Sequence, residues 1–331
     1  MTRLAELSWA QGGVFKRSQA VEAVGRARVD AAVDAGIIVN VRGVYAFAAH
    51  TNALDANGRH LLETAARVLR SRRTAYASHE SAALAHGFPL LDLPAVPTIT
   101  VHTPAAATSG GVAGRYLADV PSSDRTTIRG LGATERPRTV ADVCRSADTV
   151  AALVVTEGAL RKGVTKDEVR AVLRRCARWP GVVAAREVLE LASKWSESAL
   201  ESLGMHWARV QGLPVPEQQL TIRTLDGRFL ARVDQLWEEH ATVGELDGQI
   251  KLGVNDDVPP NSWRVVWKEK LREDGLRDVG LQVARGYWSD RDDDGAEYAA
   301  RVRRQFELAS RYTGPRLYVV SDERISPASA A

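Results

Sequence analysis

Between Phe229 and Lys251 the chain reads FLARVDQLWEEHATVGELDGQIK. Two short runs rich in β-branched and aromatic residues are parted by a polar break, which predicts two paired strands. A preceding TIRTL with Asp226-Gly227 predicts a third strand joined by a tight turn. Three antiparallel strands therefore sit at consecutive positions, and their acids are restricted to a few places. Asp234 ends one strand. Strand side chains on one face recur every second residue, so Glu245, Asp247, Gln249 and Lys251 share a face if the strand runs on. Upstream, WSESALESLGMHWARV predicts a helix with Ser196 as N-cap, and Glu197 and Glu201, four apart, on one face. Acids gathered at a strand pair can hold a hard divalent cation and leave it open to substrate. The candidate catalytic residues are Glu201, Asp234, Glu245, Asp247 and Lys251. The candidate ligands for Mg²⁺ or Mn²⁺ are Asp234, Glu245 and Asp247. The alternative is that these acids are turn residues and solvated strand edges.

A length of 331 residues accommodates two or three domains with real cores. A hydrophobic share of 45% excludes wholesale disorder. No apolar run approaches the roughly 20 residues of a membrane helix, so no membrane partner is expected. The opening MTRLAELSWAQGG lacks the apolar centre of a signal peptide, and the expected compartment is the cytoplasm. Cys144 and Cys176 form no C-x-x-C pair, which argues against a structural zinc site. Lys and Arg total 44 against 41 Asp and Glu. That excess does not by itself identify a nucleic-acid partner.

Residues 1–48 predict three short helices (LAELSWAQ, SQAVEAVG capped by Ser18, and ARVDAAVDAG) followed by the hairpin IIVNVRGVYAF with Arg42-Gly43 at its tip. That is the order of a winged helix-turn-helix. In such a fold the third helix enters the major groove and the wing meets the backbone. Lys16, Arg17, Arg26, Arg28 and Arg42 are the candidate DNA contacts. A protein-binding winged helix is the alternative, since Asp30 and Asp34 follow the arginines. GGVFKRSQAVEAVG and GIIVNVRGVYAF resemble the N-terminal domain of AbiEi antitoxins of type IV toxin–antitoxin pairs. The resemblance implies an operator-binding winged helix, transcriptional regulation and a toxin-like partner.

DANGRHLLETAARVLRSRR predicts an amphipathic helix, and AYASHESAALAHGFPL a helix capped by Ser78 that carries His79 and His86. The latter segment, and ERPRTVADVCRSAD, also resemble the middle of AbiEi-like proteins. No chemistry is expected in this region, and packing is the favoured role for its histidines. TVAALVVTEGALRKG, TKDEVRAVLRRCARW and VAAREVLELAS predict three helices. Arg170, Arg174, Arg175 and Arg178 offer either a phosphate-tracking face or a solvated one.

WKEKLREDGLRDVG predicts a helix with Leu271, Leu276 and Val279 inward, and LQVARGYWSD a closing strand. Beyond them lie the acidic SDRDDDGAE, the basic helix YAARVRRQFELASRY and the strand LYVV. Helix, three strands, helix, strand resembles the PD-(D/E)XK nucleases, in the branch of very-short-patch-repair endonucleases. Arg232-Val233-Asp234, Glu245-Leu246-Asp247-Gly248, Glu201 and Lys268-Glu269-Lys270-Leu271-Arg272 carry the match. It implies metal-dependent DNA cleavage. Three departures stand out, one of them the insertion GVNDDVPPNSWRVV between the strand and the helix. Asp247 occupies the family's lysine place, leaving that role to Lys251, Lys268 or Lys270. GLQVARGYW lacks a tryptophan of the last strand. The expected fold is α+β. A winged helix-turn-helix spans 1–48, a mixed α/β middle domain with a helical linker spans 49–192, and a restriction-endonuclease-like α/β/α domain spans 193–331.

Overall fold

The computed structural model describes residues 1–104, 109–112, 114–247 and 262–321. The chain is mixed α+β, with three sheets among the described residues. It divides into two compact units, 1–193 and 194–331.

The first unit opens with α1 (Thr2–Trp9), α2 (Arg17–Val24), α3 (Arg26–Asp34), β1 (Ile38–Val41) and β2 (Val44–Phe47). Lys16, not Ser18, is the N-cap of α2, and its N–H donates to Gln19 Oε1 at 2.8 Å. Ser18 lies one residue inside the helix, too late to cap it. Strands β1 and β2 are antiparallel, with Val41 opposite Val44. Arg42 and Gly43 both have positive φ, 51° and 89°, as a two-residue hairpin turn of matching twist requires. Leu4, Phe15, Ala20, Val29 and Ile38 are the core of this segment.

The chain continues through α4 (Ala48–Asn52), α5 (Ala56–Arg70), β3 (Ala75–Ala77), α6 (His79–Ala85), β4 (Ile99–His102), β5 (Ser109–Val112), β6 (Arg115–Ala118), β7 (Arg125–Ile128) and β8 (Leu131–Thr134). Asp55 caps α5 by accepting from Gly58 N at 2.7 Å. The six strands order as β5-β6-β4-β3-β8-β7. Val14, Val44 and Ala46 share one core with Leu62, Ala65 and Leu131. The first 48 residues are thus packed into the unit that follows them. Gly130 sits in the β7–β8 turn at φ +83°, where a Cβ would stand 2.1 Å from Trp9 O. Only glycine lets that turn close against α1.

His79 is buried and stacks on Tyr116 with ring centroids 3.8 Å apart. Burial pushes its imidazole down to about 4, so it is neutral near pH 7. His86 caps the end of α6, and its Nε2 bonds Thr134 O at 2.8 Å. Both imidazoles serve packing.

Helices α7 (Arg136–Ser146), α8 (Thr149–Arg161), α9 (Lys166–Arg175) and α10 (Val182–Leu191) complete the unit around Val140, Leu153, Val169, Leu173 and Leu189. Their assembly encloses the charges of Arg138, Asp142 and Asp124. The Arg138 guanidinium, 2% exposed, donates to Asp142 Oδ2 at 2.9 Å, Asp124 Oδ2 at 3.2 Å and Asp119 O at 3.1 Å. Asp142 also accepts from Arg145 Nη1 at 3.0 Å, and Asp124 from Arg175. Trp179 stacks under both Arg138 and Arg145. Arg170 is paired with Asp167 and Glu190. Two of the four clustered arginines, Arg170 and Arg175, are held in ion pairs.

The second unit runs α11 (Ala199–Val210), β9 (Glu217–Thr224), β10 (Phe229–Trp237), β11 (Thr242–Leu246), α12 (Ser262–Asp278), β12 (Gln282–Gly286), α13 (Ala296–Arg311) and β13 (Tyr318–Ser321). Its sheet orders as β12-β11-β10-β9-β13. Neighbours are antiparallel except β11 and β12. A parallel pair needs a crossover, and α12 lies in it. Leu220, Val233, Val243, Leu276, Leu281 and Val283 are in its core. Leu271 is 53% exposed, contrary to its expected inward place. It stands five residues, about 140° of helix, from Leu276, so one face cannot hold both. Among the described residues no helix is long and apolar enough to cross a membrane.

Candidate active site

Strands β10 and β11 pair Gln235 with Gly244 and Leu236 with Val243. Asp234 and Glu245, one step further along, fall on the same face as cross-strand neighbours. The parallel register sets Glu245 beside Arg285 of β12. Asp247 lies just past β11, and its N–H continues the ladder to Gly286 O at 3.0 Å. The alternation expected of Glu245 and Asp247 holds this far. Gln249 and Lys251 lie outside the described residues.

Glu201 reaches the same site from α11. Ser198, not Ser196, caps that helix, accepting from Glu201 N at 3.2 Å. Ser196 is buried ahead of it and accepts from Gln218 Nε2 at 2.8 Å. Glu197 therefore precedes the helix and shares no helical face with Glu201. Its carboxylate pairs with Arg232 of β10, and its N–H donates to Glu201 Oε2 at 2.6 Å. Close approach of α11 to the sheet depends on Gly204, where a Cβ would stand 2.4 Å from Leu246 Cδ1.

Gln219 joins the acids. Its Nε2 donates to Glu201 Oε2 at 2.8 Å and lies 3.3 Å from Asp234 Oδ1. It is 3% exposed and holds φ at +58° inside β9. A side chain other than glycine in that region is strained, and such strain concentrates at functional sites. Asp234 Oδ2 accepts from Leu246 N at 2.8 Å. Glu245, 4% exposed, accepts from Arg272 Nη2 at 2.6 Å, while Arg272 Nη1 reaches Arg232 O at 3.3 Å. Arg285 joins Asp247 and, at 2.8 Å, Glu273.

The field of the site favours protons and cations. Burial, then the neighbouring Asp234, pushes Glu201 up to about 7. Burial also raises Asp234, against the Leu246 N–H and Arg272, which act the other way. Burial opposes the ionisation of Glu273, yet Arg277 and Arg285 hold it below the usual carboxylate range.

The carboxylates of Glu201, Asp234, Glu245 and Asp247 offer oxygen, the chemistry that suits Mg²⁺ or Mn²⁺, but Gln219 Nε2 and the guanidiniums of Arg272 and Arg285 already sit on them. Burial is the main cause of the raised Glu201 and Asp234 carboxyls. Among the described residues, however, no three acidic, histidine or cysteine groups converge to hold a metal. Glu245 and Asp247 are instead turned to guanidiniums.

On the first unit, Lys16, Arg17, Arg26, Arg28 and Arg42 are all exposed. Arg17 pairs with Asp30, and Arg42 with Glu63 at 3.1 Å. In the second unit Arg301 is tied to Asp290 and to Arg285 O, at 2.9 Å to the latter, so it holds the fold rather than facing outward.

Sequence reasoning brought Asp234, Glu245, Asp247 and Glu201 together but left out Gln219 and Arg285. An alternating V-A-R in β12 was the available signal for Arg285. Nothing local marked Gln219, which acts through strand register. No protein-family model matches the chain, and no curated protein matches it in sequence.

Proposed function

We propose that the chain is a cytoplasmic DNA-binding protein whose N-terminal winged helix-turn-helix directs a PD-(D/E)XK-type nuclease domain to its target. The observation that carries this reading is Gln219, whose Nε2 bridges Glu201 Oε2 at 2.8 Å and Asp234 Oδ1 at 3.3 Å next to the strand that carries Glu245. Asp234 and Glu245 would hold Mg²⁺ or Mn²⁺, with Asp247 beside them. Such an ion, when bound, supplies a hydroxide near neutral pH and stabilises charge on a phosphodiester in its transition state. Gln219 orients two carboxyls with one amide. Glu201, with its carboxyl near 7, can hold or release a proton at working pH.

The expected result is Mg²⁺- or Mn²⁺-dependent cleavage of DNA by the wild type, lost in Asp234→Ala and in Glu245→Ala. Absence of cleavage of linear, supercoiled and single-stranded DNA with either metal would overturn the nuclease reading.

DNA affinity tests the first unit. Arg26→Ala and Arg28→Ala are each expected to weaken DNA binding about tenfold and lower the salt slope by roughly one. Arg17→Ala should cost less, because Asp30 already neutralises that charge. Binding titrations from 50 to 200 mM salt, roughly the range over which phosphate contacts weaken, check this. Unchanged slopes for Arg26→Ala and Arg28→Ala would remove DNA from α3.

A second reading has its own observation, since Glu245 and Asp247 are both closed by arginines. It is an AbiEi-type, antitoxin-like repressor whose second unit is a catalytically degenerate platform for a toxin-like partner. Footprinting on the DNA upstream of its own gene, with no cleavage, is the result expected of it.

A further inference from the structure

We propose that the end of α5, through Arg70, Arg72 and Arg73, grips the DNA backbone beside the wing, in place of Arg42 at the hairpin tip. The proposal rests on the DNA-binding reading of the first unit and is independent of any cleavage.

Helix α5 packs Leu62, Ala65 and Ala66 into the core that holds Val44 and Ala46 of β2. A hydrogen bond then fixes its last turn to the hairpin tip, where Arg70 Nη1 donates to Arg42 O at 2.5 Å. Gly43 makes room for this side chain, since a Cβ there would stand 3.3 Å from Arg70 Nε. A carbonyl oxygen accepts a bond without cancelling charge, so Arg70 remains a full cation, exposed beside the tip. Ser71 shapes the loop that follows. Its hydroxyl donates to Arg73 O at 2.6 Å and accepts from Arg73 N at 3.3 Å. Arg72 and Arg73 stand exposed on that loop, and no carboxylate pairs with either among the described residues. Arg42 differs from them. Its guanidinium already lies on Glu63 Oε2, at 3.1 Å from Nη2 and 3.2 Å from Nε. It brings its own counter-charge to any contact, whereas Arg70, Arg72 and Arg73 bring none. Duplex DNA carries about one negative charge per 1.7 Å of axis, and a guanidinium fork fits a phosphate with two parallel bonds. The wing of a winged helix meets that backbone, so cations bonded to its tip are carried to the same place. An acidic protein surface would use the same charges but has no such tie to the hairpin.

The test is binding of the full-length chain to a fluorescent mixed-sequence duplex in a chelator, read by anisotropy across a salt series. Arg72→Gln with Arg73→Gln is expected to weaken binding at least about tenfold and to lower the salt slope by roughly two. Arg70→Gln should lower the slope by roughly one, and Arg42→Gln should cost less than Arg70→Gln. Arg72→Lys with Arg73→Lys keeps the charge and should recover most of the slope. Arg136→Gln with Arg186→Gln removes the same charge from exposed positions elsewhere in the unit and should leave the slope unchanged. Circular dichroism confirms folding, and the Arg72 and Arg73 variants carry the test if Arg70→Gln loosens the hairpin. A slope lowered by Arg26→Ala but not by the Arg72 and Arg73 pair would overturn the proposal and leave the DNA-binding reading standing. Equal losses in that pair and in the Arg136 and Arg186 pair would reduce the effect to net charge and overturn it also. No binding of the duplex by the wild type would overturn both, and would pass the patch to an acidic protein partner.

Discussion

Asp142→Ala is expected to lower the unfolding free energy of the first unit by about 3–5 kcal/mol, the usual result of removing one partner from a buried ion pair. Asp142 is 1% exposed and accepts from Arg138 at 2.9 Å and Arg145 at 3.0 Å. Its loss leaves Arg138, itself 2% exposed, with Asp124 as its remaining carboxylate and with one guanidinium edge facing a void. Replacing Arg138→Met together with Asp142→Leu should recover only part of that loss, because Arg145, whose side chain is 6% exposed, still loses its carboxylate. Urea unfolding of the single and double variants checks this. A loss under about 1 kcal/mol in Asp142→Ala, the range of surface pairs, would show that the network is solvated in practice.

In the second unit the largest effect belongs to Glu201. Its carboxyl is raised from 4.5 to about 7, so the folded protein binds that proton more tightly than the unfolded chain does. The stabilisation is fully present below about 4.5 and disappears as pH rises through about 7. Glu201→Gln stays neutral throughout and still offers a carbonyl to Gln219 or to the Glu197 N–H. Its advantage over wild type should therefore grow across that window, reaching at most roughly 3 kcal/mol at pH 8 at about 1.4 kcal/mol per unit. Chemical denaturation at pH 5, 6, 7 and 8 in the presence of a chelator measures it. Parallel pH profiles for the two proteins would mean that Glu201 titrates as an ordinary surface acid.

Much of this architecture was legible because strands and hairpins declare themselves locally. Arg42-Gly43 and Asp226-Gly227 mark turns by residue type, and the structure bends at both. Alternation brought Glu245 and Asp247 to one face. What remained hidden depends on where separate elements meet. Glu197 and Glu201 share a face only if the helix starts before Glu197. Competition among Ser196 and Ser198 for the cap decides that, and spacing alone does not. Arg138 occupies a helix whose pattern reads as an ordinary amphipathic surface. Its burial follows from Asp124, fourteen residues earlier, and from Trp179, far later in the chain. Gln219 was invisible for a related reason. Its role comes from the register that sets it opposite Asp234, and from a backbone twist that no propensity scale rewards.

Val14, Val44 and Ala46 lie in the same core as Leu62, Ala65 and Leu131. The opening helices and hairpin are therefore not a portable cassette. Excised at residue 48, the segment would carry the raw apolar face of Val14, Val44 and Ala46 into water. The smallest transferable piece is 1–193. The hairpin β1–β2 is built together with the six-stranded sheet whose Leu131 and Ala133 share its core.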